Sequence, residues 1–366
     1  MSIGGGDEPY TTKVNVPQYE VTGASPMLSD LVDTTKTNEL LEEIDNAEGI
    51  TEEERQFLRK AAMRHLKFNM KGNRRFVVFI LSHGRPDSVH TLKTLKSLGY
   101  SGDWLIVIDN EDETAERYYQ NFGREKVVMF DKLAISKTFD TADTFEDRRT
   151  IVYARNACWD IAKERGYRYF LELDDDYTSF SHRYMEDGRL VSKSPRNINS
   201  IFTAMLDFLD DSGALTVAFA QGGDYIGGKD GGNVKKRLLR KAMNSFFCDS
   251  EKRFDFVGRV NEDVNTYTLL GQQGKLILTP MDFMLNQLQT QSNKGGMTGT
   301  YLDNGTYVKS FYSVIFSPSC VKLFMMGDKH YRIHHKVEWG NCTPKILSAK
   351  WKKGEGDGGK EENGKT

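Results

Sequence analysis

The run Tyr169-Phe170-Leu171-Glu172-Leu173 ends abruptly in Asp174-Asp175-Asp176, and no other stretch limits the fold so tightly. Its aromatic and Leu side chains suit a buried strand. Burying adjacent like charges without a counter-charge is prohibitive, so the acids belong at the strand's tip. In open α/β sheets the ligand crevice lies outside the carboxyl ends of the strands, and oxygen-rich sites attract Mg²⁺ or Mn²⁺. Side chains alternate along an extended backbone, which sets Asp174 and Asp176 on one side as a two-carboxylate grip on a metal that also holds a diphosphate. An acidic triplet that only caps a solvated loop looks the same in isolation, so the surrounding chain must decide.

At 366 residues the chain suffices for one large domain or two ordinary ones. Its 50 Lys and Arg against 52 Asp and Glu leave a formal net charge of −2, so no global field advertises nucleic acid, although a local basic patch is compatible with that balance. Cys158, Cys248, Cys320 and Cys342 lack C-x-x-C spacing, which argues against a zinc knuckle or disulfide framework and fits a reducing cytoplasm. No apolar run approaches a membrane span, and the polar, Gly-bearing N-terminus does not read as a signal peptide. The expectation is a soluble cytoplasmic protein without a membrane partner.

Residues 1–36 lack periodicity and read as an extended or disordered arm. Residues 37–72 read as a helical extension, whose second helix opens with Thr51 and Glu54 at capping-box spacing. The next unit, 73–180, begins with the continuous apolar run Phe76 to Leu81, the mark of a strand covered on both faces. It ends in Ser82-His83-Gly84-Arg85-Pro86, where Gly84 permits a tight turn and Arg85 offers a planar cation for phosphate or a base. Asp87 is placed to cap a helix that stops at Gly99. A second strand, Trp104 to Ile108, meets another acidic tip at Asp109, a helix runs to Phe122-Gly123, and Val127 to Phe130 makes a third strand. The helix Tyr153 to Ala162, with Ala154-Arg155-Asn156 in its first turns, leads to the strand with the three acids. This alternation predicts a parallel, three-layered α/β domain.

Residues 181–350 form a second half. A hairpin is expected around Glu186-Asp187-Gly188, an amphipathic helix over 198–209, and a buried strand over 215–220. The Gly-rich segment 221–232 lacks Walker spacing and suits either a mobile loop or a plain linker. Lys235, Lys236, Arg237, Arg240 and Lys241 form the densest basic cluster, either a solvated helix face or a phosphodiester contact. Glu262 and Asp263 open a helix, where the macrodipole favours anions. The polar, Gly-rich segment 289–300 suits a lid or an ordinary surface loop. His334 and His335 lie in a short strand and are expected to face opposite ways. The Gly- and charge-rich tail, 351–366, reads as disordered.

The Ser-x-Gly-Arg turn after the first strand, the Asp after the second, the Ala-Arg-Asn helix and the strand running into Asp-Asp-Asp together resemble the nucleotide-sugar-binding half of GT-A glycosyltransferases. The Ser82-His83-Gly84-Arg85-Pro86 turn, the long spacer to the triplet and the His-His-Lys-Val ending are similar to the TET- and J-binding-protein-associated glycosyltransferases, many of them phage enzymes. The resemblance implies a GT-A type three-layer sandwich with a mostly parallel central sheet, here carrying an N-terminal helical extension. It implies that Ser82, Gly84, Arg85, Asp109, Arg155, Asp174 and Asp175 bind a UDP-sugar, and that Asp174, Asp176 and one of His334 and His335 bind Mn²⁺ or Mg²⁺. For Arg155 a surface salt bridge, for Asp109 a turn or cap, and for either histidine an ordinary strand hydrogen bond are the alternatives.

The implied activity is a hexosyltransferase acting on 5-hydroxymethylcytosine or 5-hydroxymethyluracil in DNA, in host-cell cytoplasm if phage-encoded. Glu262 and Asp263 resemble the acid pair that GT-A enzymes place opposite the metal. Neighbours on a helix point in different directions, so one of the two, Asp263, is favoured as the base that takes the acceptor's proton. A glycosyltransferase acting on a protein or surface polysaccharide would keep all the donor features. A nucleotidyltransferase and a noncatalytic binding module are the remaining classes.

Overall fold

The computed structural model describes residues 74–288 and 305–344, apart from 144–145, 196, 237, 240, 306 and 328–330, together with scattered positions between 42 and 59. The arm 1–36, the lid segment 289–300 and the tail 351–366 lie outside the described residues. The chain separates into two compact units, Met1–Ala62 and Met63–Thr366. In the first, Thr51 and Glu54 form the expected capping box: the Glu54 backbone N–H donates to Thr51 Oγ1 at 3.2 Å, and the Thr51 N–H donates to Glu54 Oε2 at 2.9 Å. Each carboxylate or hydroxyl thus satisfies a donor that the first helical turn leaves open.

The second unit opens with β1 (Phe76–Leu81), α1 (His90–Ser97), β2 (Asp103–Asp109), α2 (Ala115–Phe122) and β3 (Val127–Phe130). A short α3 (Lys132–Ser136), then α4 (Val152–Glu164), lead to β4 (Tyr169–Asp174). After it come β5 (Tyr177–Glu186), β6 (Arg189–Lys193), α5 (Ile198–Ser212), β7 (Thr216–Val217), β8 (Ala220–Gln221), α6 (Gly232–Lys236), β9 (Leu238–Leu239) and β10 (Ser245–Asp249). The last elements are α7 (Glu262–Gln272), β11 (Ile277–Pro280), β12 (Phe283–Gln287), α8 (Val308–Phe316), β13 (Val321–Met326) and β14 (Arg332–Val337).

Among the described residues an eight-stranded sheet runs β3-β2-β1-β4-β10-β7-β11-β9, beside a four-stranded sheet β6-β5-β12-β8 and the ribbon β13-β14. The β3-β2-β1-β4 half is parallel, β10 is antiparallel to β4, and β7 and β11 are again parallel. Apolar residues alternate between two cores. Val78 and Ile80 of β1 with Leu171 and Leu173 of β4 pack against Leu92, Leu95, Tyr118 and α5, while Val77 and Phe79 with Phe170 pack against Trp159 and the rest of α4. That division is the physical content of three layers: continuous apolar strands are stable only with helices on both faces.

Several local expectations hold and others change. The β5–β6 hairpin closes through Asp187 (φ 48°) and Gly188 (φ 71°), with Glu186 paired to Arg189; two successive positive φ values match the right-handed strand twist. Asp87 does not cap α1, whose N-cap is Val89, because its carboxylate is taken by Arg117 and Asn121. The single strand expected over 215–220 is divided into β7 and β8, which belong to different sheets. At the crossing the Ala218 N–H donates to Leu278 O at 3.0 Å and the Phe219 N–H to Ser245 Oγ at 3.1 Å, so both backbone donors at the break are satisfied.

Candidate functional site

The tips of β1 and β4 are neighbours in a parallel pair, with Leu81 opposite Asp174, and the chain goes to opposite sides of β1 for β2 and β4. This is the switch point at which an open α/β sheet forms a crevice. β4 ends at Asp174, and Asp175-Asp176 make the two-residue turn into β5. The extended-backbone reading of Asp174 and Asp176 is therefore corrected: a turn, not strand alternation, sets their relation. Its carbonyls are fastened from below by Thr91, whose N–H donates to Asp175 O at 3.0 Å and whose Oγ1 donates to Asp174 O at 2.5 Å.

The three acids have separate surroundings. Asp175 is buried and bridges to the first-strand turn: Ser82 Oγ donates to its Oδ2, and Arg85 Nη2 lies 3.1 Å from its Oδ1. Burial pushes its carboxyl up to about 6 despite the Arg85 charge. Asp174 is a quarter exposed and receives Arg155 Nη2 at 3.0 Å. Asp176 has a buried Oδ1 with no hydrogen-bond partner among the described residues. Burial first, then the charges of Asp174 and Asp175, raise Asp176 to about 7.

Arg155 is wholly buried in α4 and serves three acids: Asp174, Glu262 through Nε at 3.1 Å, and Glu172, whose Oε2 is 3.7 Å from Nη1. Burial opposes its charge, yet these carboxylates hold its pKa above the ordinary arginine value. It is no surface salt bridge. Glu172, buried mid-strand, is pushed up to about 8, chiefly by burial. At the start of α7, Asn261 adopts φ 62°. Burial raises both Glu262 and Asp263, and the two repel each other.

The Ser82–Arg85 turn is held by Tyr118, which the sequence did not single out, and by Asp112 of the acidic stretch that follows the second strand. Tyr118 Oη lies 2.7 Å from Ser82 Oγ and accepts the Arg85 N–H at 2.9 Å, and the Gly84 N–H donates to Asp112 Oδ2 at 2.7 Å. Asp109 is buried with His83 Nδ1 at 2.8 Å and Lys132 Nζ at 3.2 Å from its Oδ2. Burial alone would raise its pKa, but His83 and Lys132 outweigh that and hold it below the usual carboxylate range. Tyr118 reads as one more amphipathic-helix aromatic, and only its hydroxyl's partners reveal a role.

Lys309 of α8 is a second group the sequence passed over. Tyr312 reaches Arg259, Ser313 bonds Asn261 and Asn265, and Phe316 closes on Gly258, so this stripe of α8 lies along the entry to α7. Lys309 continues the stripe one turn earlier, and its charge acts on both Asp263 and His335. Burial lowers the Lys309 pKa although Asp263 opposes the shift.

His334 and His335 do not simply face opposite ways. Their rings are 4.6 Å apart, and His334 Nδ1 lies 2.8 Å from the His335 carbonyl, with the His334 ring edge-on to Phe324 of the paired strand. Burial, His334 and Lys309 lower His335 to about 4, and its Nδ1 is buried with no partner among the described residues. Of the basic cluster, Lys241 is ion-paired internally to Asp224, Lys235 stands 3.8 Å from Asp230, and Arg237 and Arg240 lie outside the described residues.

Among the described residues no three His, Cys, Asp or Glu side chains already form a metal cage. The donor set nonetheless fits a hard cation completed by substrate oxygens and water: Asp176 presents a buried oxygen with no partner among the described residues, beside Asp174, in a region where like charges repel. No described helix is long and apolar enough to cross a membrane.

A family model described as TET-Associated Glycosyltransferase matches residues 76–296. No curated protein matches the sequence. Similar solved structures include glucosyl-3-phosphoglycerate synthase from Mycobacterium tuberculosis with Mg²⁺ and uridine diphosphate, at 9% identity and TM-score 0.39 over 75% of this chain and 91% of that chain. The same protein with Mn²⁺ and UDP-glucose gives 11%, 0.39, 75% and 90%. Mannosyl-3-phosphoglycerate synthase from Rubrobacter xylanophilus gives 12%, 0.36, 76% and 90%. At these TM-scores the likenesses carry no inference about the site.

Proposed function

Because the chain belongs to the TET-associated glycosyltransferase family, we propose that it moves a hexose from a uridine diphosphate sugar to the hydroxymethyl oxygen of 5-hydroxymethylcytosine or 5-hydroxymethyluracil in DNA. The supporting observation is the set of acids joined at the β1–β4 crevice, with Asp176 Oδ1 buried and without a hydrogen-bond partner among the described residues. Residues 73–180 serve the donor, and 181–350 serve the acceptor and carry a C-terminal metal and lid segment.

Ser82, Gly84 and Arg85 hold the nucleotide on the first-strand turn. Asp109 keeps that turn's His83 in place and Asp175 clamps Ser82 and Arg85. Asp174 and Asp176 would hold Mn²⁺ or Mg²⁺. His335, kept neutral and with an Nδ1 that has no partner among the described residues, is better suited than His334 to complete the shell. When bound, the ion neutralises charge on the departing diphosphate. The acceptor oxygen bonds to the anomeric carbon as the bond to the diphosphate breaks, and the acceptor's proton passes to a carboxylate. Glu262 is engaged by Arg155, which leaves Asp263, whose charge meets that of Lys309, as the acid that takes the proton.

One observation favours a second reading, a glycosyltransferase acting on a protein or surface polysaccharide. Lys241 is spent on Asp224, so the basic cluster offers DNA less charge than its sequence suggests. The deciding experiment incubates the protein with a panel of UDP-sugars, Mn²⁺ and DNA carrying either modified base, then weighs the digested nucleosides. A hexose-sized gain on one base supports the DNA reading, and no gain on either moves the assignment to the polysaccharide. DNA binding that does not weaken as salt rises also counts against the DNA reading.

A further inference from the structure

A cleft of about 260 Å³ opens where the Gly-rich segment meets the end of β12, between Gln221, Gly222 and Gly223 on one side and Asn286, Gln287 and Leu288 on the other. It adjoins the acidic turn: the Leu288 N–H donates to Asp176 O at 3.1 Å, and Gln287 pairs with Tyr177. Consecutive strand residues normally face opposite ways. Here the β5–β12 register shifts between Asn286 and Gln287, and such a bulge re-aims side chains; both residues line the cleft.

Their remaining hydrogen-bonding capacity is complementary. Asn286 Nδ2 donates to Ser179 Oγ at 3.0 Å, and its Oδ1 points toward Gly222, where an added Cβ would lie 3.2 Å away. Gln287 Oε1 accepts from Asn244 Nδ2 at 2.9 Å, and the other end of that amide, Nε2, is a donor. One acceptor and one donor, from adjacent residues, complement the N–H and acceptor pair on the edge of a pyrimidine.

We propose that this cleft is the acceptor pocket and takes a single pyrimidine ring, unstacked from its strand, by that edge. The proposal rests on the DNA-acceptor reading above and adds that the base leaves the duplex, as enzymes that work on a base within a stack require. The volume is below the usual range for ligand sites, about 300 Å³ and upward, which suits one ring better than an extended saccharide acceptor. The hydroxyls of the donor hexose share this hydrogen-bonding chemistry, so the test separates the two.

Gly223 gives a clean probe, since an added Cβ there meets nothing within 4 Å and its φ is not among the positive values. In the series Gly223→Ala, Gly223→Val and Gly223→Leu, the KM for hydroxymethylated DNA should climb with side-chain volume, to about tenfold or more, while UDP affinity stays within about twofold. A rise in the UDP-sugar KM with the DNA KM unchanged assigns the cleft to the sugar and overturns the proposal, as does no change in either. If the wild type transfers nothing to DNA, the acceptor reading itself fails. The pocket is then judged by titrating 5-hydroxymethylated pyrimidine nucleosides: binding that the Leu variant weakens supports it, and equal or absent binding overturns it.

Discussion

Arg155 donates Nη2 to Asp174 Oδ1 at 3.0 Å from a fully buried position in α4. The same guanidinium holds Glu262, so one side chain ties the tip of β4 to the start of α7. Arg155→Met removes the counter-charge of buried carboxylates and should destabilise the protein by about 3–5 kcal/mol. Denaturant unfolding measures this, and a loss below about 1 kcal/mol would show that the acids neutralise themselves by taking up protons.

Asp176 is crowded by the charges of Asp174 and Asp175. Asp176→Asn should cost at least about a hundredfold in kcat, the scale on which one electrostatic contact to a transition state is worth, while the melting temperature without added metal stays the same or rises. Loss of turnover accompanied by unfolding would instead make Asp176 structural.

Glu172 supplies a pH prediction. Its folded pKa, about 8, lies above the ordinary glutamate value of 4.5, so the native state binds the proton more tightly than the unfolded chain does. The resulting stability is fully present below about 4.5 and is lost as pH rises toward about 8. Glu172→Gln should flatten that fall in melting temperature, and an unchanged slope would place the titration elsewhere.

Gly258 has φ 82°, and an added Cβ would meet Asn265 Nδ2 at 2.2 Å and Phe316 Cε2 at 2.7 Å. Gly258→Ala should cost about 1–3 kcal/mol through overpacking, in addition to the strain of a left-handed backbone. Because Asn265 also bonds the Val257 and Val260 carbonyls, turnover should fall with stability, and an unperturbed melting curve would refute the clash.

Tyr118→Phe removes the hydroxyl that meets Ser82 and accepts the Arg85 N–H. The expected loss is about 1–3 kcal/mol, the cost of an unsatisfied buried group, appearing as weaker UDP binding by calorimetry with little change in the acceptor KM. Unchanged UDP affinity would separate this network from the nucleotide.

The parallel half and its hairpin were legible because their signals are local. Apolar runs from Phe76 and Tyr169, the glycines at 99 and 123, and the Asp187-Gly188 turn each state a backbone preference within a few residues. Asp87 and the 215–220 segment misled for the converse reason. Asp87 meets Arg117 and Asn121 from another helix, and the β7–β8 break answers to two different sheets.

The acids, the Ser82–Arg85 turn and the Ala-Arg-Asn helix were set by sequence alone, since hydrophobic periodicity fixes where strands end and what stands at their tips. Which carboxylate is neutralised, which is left without a partner, and that Tyr118, Lys309 and a bulged pair of amides border them were decided only by the tertiary structure. Burial and charge depend on neighbours distant in the chain, and no local pattern encodes those distances.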